Sequence, residues 1–164
     1  MKVKISNIVN DSVVDGPGIR LAIFTQGCVH NCNQCHNPQT HDINGGYDME
    51  IKEIVEIINK NPLLDGVTIT GGEPFLQSGV LSNLAKEVKK LGLDVMVYTG
   101  YTWEELIKDN DAHKNFIEHI DVLVDGRFVS GLKSLDLKFR GSSNQRIINV
   151  KKTMELKKVQ SLEL

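Results

Sequence analysis

The run at residues 25–37, TQGCVHNCNQCHN, holds all three cysteines of the chain, Cys28, Cys32 and Cys35. Three thiols cannot pair off as disulfides, and an odd set gathered in one loop points to metal or redox chemistry. The spacing C-x3-C-x2-C lets a wrapping backbone carry three thiolates to three corners of a compact centre. Two kinds of centre suit it. Structural zinc wants four protein ligands, and His30, His36 or His41 is available to complete a Cys3His set. A [4Fe-4S] cluster takes one thiolate per iron, so three cysteines leave one iron open to an outside ligand. Spacing alone leaves both open, because both metals accept thiolate loops.

The elements that must position this loop read as an alternation of strands and helices. Residues 21–26 are a β-prone run ending at Gly27, directly before the first cysteine. In residues 49–59, Ile51, Ile54, Val55 and Ile58 share one helical face, and Asn61-Pro62 ends the helix. Residues 67–70 form a buried strand that breaks at Gly71 and Gly72. Leu81, Leu84, Ala85 and Val88 line a second amphipathic helix, with Gly92 placed for a left-handed terminus. Further strands are expected at 95–98, 120–124 and 146–150, and Thr102 with Glu105 has capping-box spacing for a helix starting near Trp103.

Such an order needs crossover connections, hence an α/β fold with a mostly parallel sheet and outer helices. Ligands of these sheets lie beyond the carboxyl ends of the strands, where the cysteine loop and the Gly71–Pro74 turn both fall. A closed eight-fold barrel needs about 250 residues. The 164 residues here accommodate five or six strands, so an incomplete, laterally open β/α barrel is expected as a single domain over 1–164, with 151–164 a helical or frayed tail.

Composition narrows the function classes. Hydrophobic residues make up 40% and charged residues 24%, values of an ordinary globular chain able to bury a core. A formal net charge of −2 gives no electrostatic case for gripping nucleic acid. No apolar run approaches the roughly 20 residues needed to span a bilayer, and the first residues lack a signal-peptide core. A cytoplasmic protein with neither nucleic acid nor membrane as partner is expected.

The cysteine spacing, taken with GGEP at 71–74, resembles the signature of the radical S-adenosylmethionine superfamily. The resemblance implies that Cys28, Cys32 and Cys35 hold a [4Fe-4S] cluster whose open iron binds S-adenosyl-L-methionine. It further implies that Gly71, Gly72, Glu73 and Pro74 meet the methionine amino end, and that Thr99 adjoins the cofactor. The superfamily usually has an aromatic residue before the third cysteine, where this chain has Gln34. The stretch Gln34, Cys35, His36 is the implied neighbour of the adenine.

VVDGPGIRLAIFTQGC at 13–28 resembles the entry segment of the glycyl-radical activating enzymes. Three later stretches, VYTGYTWEEL (97–106), DVLVDGRFV (121–129) and FRGSSNQRII (139–148), resemble the branch that acts on anaerobic ribonucleoside-triphosphate reductase more than the branch that acts on pyruvate formate-lyase. The implied activity is cleavage of S-adenosylmethionine to a 5′-deoxyadenosyl radical, which takes a hydrogen atom from a glycine of the reductase. A low-potential donor such as flavodoxin or ferredoxin would supply the electron. Asp15 and Arg20 are candidates either for touching the entering peptide loop or for holding their own turn. A structural zinc module or a plain iron-sulfur electron carrier is the rival of another class; carriers normally use fully ligated clusters.

Overall fold

A computed structural model describes residues 1–108 and 110–164. Its strands are β1 (Lys2–Ser12), β2 (Arg20–Thr25), β3 (Tyr47–Glu50), β4 (Gly66–Gly71), β5 (Asp94–Tyr98), β6 (Val122–Asp125) and β7 (Arg146–Asn149), joined in one sheet of order β3-β1-β2-β4-β5-β6-β7. The central pairs β2–β4, β4–β5 and β5–β6 are parallel, whereas β1–β2, β1–β3 and β6–β7 are antiparallel. The sheet stays open, as expected for an incomplete barrel. Among the described residues it has seven strands rather than five or six.

The two additional strands, β1 and β3, flank the parallel centre on one side. Along β1, Val3 and Ile5 are buried but Asn7, Val9, Asn10 and Asp11 are not, so half the strand lacks the apolar alternation that marks a strand in sequence. Its pairing is irregular too, with register shifts between Ile5 and Asn7 and between Val9 and Ser12. β3 reads YDME, and backbone pairing to residues 2–5 makes it a strand.

The helices are α1 (Ile51–Asn59), α2 (Ser78–Lys90), α3 (Trp103–Leu106), α4 (Asp111–Ile117) and α5 (Val150–Leu156). Alternation within the strands sends Leu21, Ile23, Val67, Ile69, Val95, Val97 and Leu123 to one face, where they form a single core with Ile54, Leu81, Leu84, Val88, Leu106 and Phe116 of the helices. The expected caps are present: Thr102 and Glu105 bond reciprocally at α3, and Gly92 has φ +78° after α2. After α5 the chain returns to β7. Asn149 donates to the Gln160 carbonyl at 2.8 Å and Leu162 to that of Ile147 at 2.9 Å.

The opposite face of the sheet carries Ala22, Phe24, Thr68, Thr70, Met96, Tyr98 and Val124. At its amino end the DGPG turn folds across it and is fastened by Arg20, whose side chain is fully buried. Arg20 donates to Thr68 Oγ1 at 2.7 Å, to the Pro17 carbonyl at 3.0 Å, to the Val67 carbonyl at 3.1 Å, and to the Asp94 carboxylate. This turn closes the amino end of the strands. The carboxyl end holds the cysteines.

Candidate active site at the carboxyl ends of the strands

The cysteine loop leaves β2 at Gly27 and is pinned at its neck. Gly27 N–H donates to the Thr40 carbonyl at 2.6 Å and Cys28 N–H to that of His41 at 3.3 Å. Between these points Asn31 (φ +49°) and Gln34 (φ +57°) take left-handed backbone on either side of Cys32, which winds the loop tightly. The three thiols are unpaired and partly buried. Cys35 Sγ accepts the Asn37 N–H at 3.4 Å. Burial pushes the Cys28 thiol up, the N–H groups of His30 and Asn31 pull it back, and the Glu73 carboxylate pushes it up further. A bound cation reverses that balance, because a coordinating thiol loses its proton outright.

Three free thiols with N–H groups turned toward sulfur, in a loop closed on itself, suit a cluster that takes one thiolate per iron. Among the described residues no three His, Cys, Asp or Glu side chains gather around a single ion, and a cube does not require them to. Of the histidines weighed as a fourth zinc ligand, His30 is hydrogen-bonded to Glu73 and His36 packs on Phe128 with ring centroids 4.8 Å apart. His41 keeps a buried Nε2 without a partner.

Beside this loop sits the Gly71–Pro74 turn at the end of β4. Gly72 N–H donates to the Thr25 carbonyl at 2.9 Å and Glu73 N–H to the Gly27 carbonyl at 2.7 Å, so the turn lies directly on the strand end that carries the cysteines. Pro74 opens a short 3-10 turn (Pro74–Gln77), and Glu73 caps it by accepting the Phe75 N–H at 2.9 Å. The Glu73 carboxylate is fully buried. It also accepts the Thr99 hydroxyl at 2.9 and 2.8 Å, the Gly100 N–H at 2.8 Å, and His30 Nε2 at 2.5 Å. One carboxylate thus ties together the loops that follow β2, β4 and β5.

The structure therefore gathers Cys28, Cys32, Cys35, Gln34, His36, Gly71, Gly72, Glu73, Pro74 and Thr99 at one end of the sheet. Asp15 and Arg20 lie apart from them. Arg20 is in register with Gly66 and Ser12 at the opposite end, and its bonds hold the turn. Asp15 accepts the Ser12 hydroxyl through its side chain and the Thr68 hydroxyl at 2.9 Å through its carbonyl. It reaches into the interior far enough to act on Tyr98, whose phenol is pushed up by burial and then by the Asp15 charge, with Arg20 opposing.

Two features of the rim escape a sequence reading. Phe128 meets His36 and so joins the loop after β6 to the cysteine loop. Asp125, buried at the end of β6, accepts the Trp103 N–H at 2.8 Å and pairs with Arg146 of β7, which also grips Glu104 at 2.7 Å. Their partners are 21 and 42 positions apart from Arg146, so no local pattern announces them.

Comparison with known proteins agrees with this arrangement. The family described as "4Fe-4S single cluster domain" matches residues 14–148. The anaerobic ribonucleoside-triphosphate reductase-activating protein of Salmonella typhimurium is 39% identical over 142 residues, covering 81% of this chain and 90% of that protein. The pyruvate formate-lyase-activating enzyme of Clostridium pasteurianum is 36% identical over 127 residues, covering 72% of this chain, which spans about half (53%) of the enzyme. Among solved structures, QueE from Escherichia coli superposes with a TM-score of 0.53 at 19% identity, over 62% of this chain and 54% of that one, which supports the fold.

Proposed function

From the premise that the chain belongs to the 4Fe-4S single cluster domain family, alongside the activating proteins of anaerobic ribonucleoside-triphosphate reductases, we propose that it is a radical S-adenosylmethionine enzyme that installs a glycyl radical on such a reductase. The observation that carries this reading is a loop with three unpaired thiols whose neck at Gly27 is seated on the Gly71–Pro74 turn, at the carboxyl ends of neighbouring parallel strands. The choice of the reductase over pyruvate formate-lyase is supported by coverage, 90% of the reductase activator against 53% of the lyase activator.

When bound, the [4Fe-4S] cluster and S-adenosylmethionine supply one-electron cleavage of the sulfonium and removal of a hydrogen atom by the 5′-deoxyadenosyl group. The chain's own residues do the rest. Cys28, Cys32 and Cys35 would each hold one iron. Gly71, Gly72, Glu73 and Pro74 would present backbone groups to the methionine end, fixed by the bonds to Thr25 and Gly27. Gln34, Cys35 and His36 would border the adenine, and Thr99 would act by holding the Glu73 carboxylate. Burial of Glu73, Thr99 and Thr25 keeps water from the floor of the site. The open side of the sheet admits a peptide loop, which a closed barrel packed with side chains would refuse.

The single domain would span 1–164. Its electron would come from a low-potential donor such as flavodoxin or ferredoxin. Among the described residues no helix is long and apolar enough to cross a membrane, and three free thiols suit a reducing cytoplasm. The test is to mix the reduced, anaerobically loaded protein and S-adenosylmethionine with each candidate partner. A glycyl radical resonance on the reductase and none on the lyase is expected; a signal on neither overturns the proposal.

A further inference from the structure

Within the cysteine loop, His30 has a position unlike its neighbours. Its side chain is 4% exposed although its flanking residues Val29 and Asn31 face solvent. Among the described residues it is the one side chain from Cys28 to His36 that hydrogen-bonds outside the loop, through Nε2 to Glu73 Oε1. The ring is held by two further contacts. It meets Tyr101 edge to face with centroids 4.6 Å apart, and it fills the space over Gly100, where an added Cβ would stand 2.4 Å from His30 Cδ2. A glycine at position 100 is what lets the imidazole lie against the loop after β5.

Glu73 has four donors, three of them in the scaffold: Thr99 Oγ1, Gly100 N and Phe75 N. The fourth comes from the loop that would carry the cluster. We propose that His30 is a positioning residue that registers the cluster loop against the Gly71–Pro74 turn, so that cluster and S-adenosylmethionine are presented to each other at one fixed separation. This deepens the radical S-adenosylmethionine reading and rests on it. Gly27 and Cys28 anchor the neck of the loop through their backbones, whereas the His30–Glu73 bond anchors its body. Losing that bond should leave three thiols able to bind iron while the loop drifts relative to the turn. A buried hydrogen bond to a charged group contributes about 1.5–3 kcal/mol, equivalent to about ten- to hundredfold in an equilibrium constant.

The experiment compares anaerobically reconstituted wild type, His30→Leu and His30→Gln. Iron and sulfide content, the change in the cluster spin-resonance spectrum on titrating S-adenosylmethionine, and hydrogen exchange of the Phe75 and Gly100 amides are measured. His30→Leu should bind a full cluster, take up the cofactor about ten- to hundredfold more weakly, and exchange both amides faster. His30→Gln keeps a donor and should recover affinity and protection. A His30→Leu protein with wild-type affinity, or one that cannot hold iron, overturns the inference, as does a His30→Gln protein as impaired as His30→Leu. Wild type that ignores S-adenosylmethionine instead overturns the functional reading beneath it.

Discussion

Gly72 and Gly27 touch through their backbones: a Cβ on Gly72 would stand 2.2 Å from the Gly27 carbonyl oxygen, the same oxygen that accepts the Glu73 N–H at 2.7 Å. The Gly71–Pro74 turn and the neck of the cysteine loop are therefore in contact with no side chain between them. Gly72→Ala is predicted to force them apart, at a cost of about 1–3 kcal/mol. Urea unfolding and S-adenosylmethionine affinity check it together. Both should fall, and an unchanged pair would mean that the backbone yields freely.

Replacing Cys28, Cys32 or Cys35 with Ala removes one thiolate from a loop whose neck is tied by backbone bonds. Each variant should lose most of its iron and all radical transfer, while the metal-free forms unfold within about 1 kcal/mol of the metal-free parent. Iron analysis with urea melts provides the comparison. A variant that keeps both cluster and activity would remove that cysteine from the ligand set.

Arg20 spends its guanidinium on Thr68, Pro17, Val67 and Asp94. Asp94 is about half exposed, so on loss of the arginine it regains water, whereas the buried Val67 carbonyl does not. Arg20→Ala should cost about 3 kcal/mol of stability, at the low end for a broken buried ion pair. The fraction that folds should bind the reductase normally. Full stability with weakened partner binding would return Arg20 to the docking role.

At the rim, hydrogen bonds from Arg127 and then from Thr102 hold Glu105 down at about 2. A carboxylate depressed in the folded state contributes stability above its unfolded pKa, near 4.3, and loses it as pH falls through the folded value. Both partners are exposed (side chains 44% and 40%), so solvent screens the pair and added salt should shrink the effect. Acid titration of stability in metal-free Arg127→Ala should be flatter than wild type between about pH 4.5 and 2. Parallel curves would show that the pair does not couple to folding.

The parts of this molecule legible in one dimension are those whose causes are local. The apolar face of α2, the capping box at Thr102, and the glycines after β2 and β4 each follow from neighbouring residues. The Cys28, Cys32, Cys35 set was visible for the same reason. β1 and β3 were not, because pairing rather than patterning makes them strands. His30 appeared only as a possible ligand, since its partner Glu73 lies 43 positions away and nothing near either residue signals the bond. For Arg20 the sequence leaves two roles open, and its burial and bonds account for the one that holds the turn.

The return of residues 160–162 along β7 gives the sheet a hemmed border. With Asn149 N–H and the Ile147 carbonyl already paired to the tail, a second molecule cannot add onto β7 at residues 147–149 without displacing residues 160–162. A fibre or dimer grown by pairing directly onto β7 must first unpick the hem.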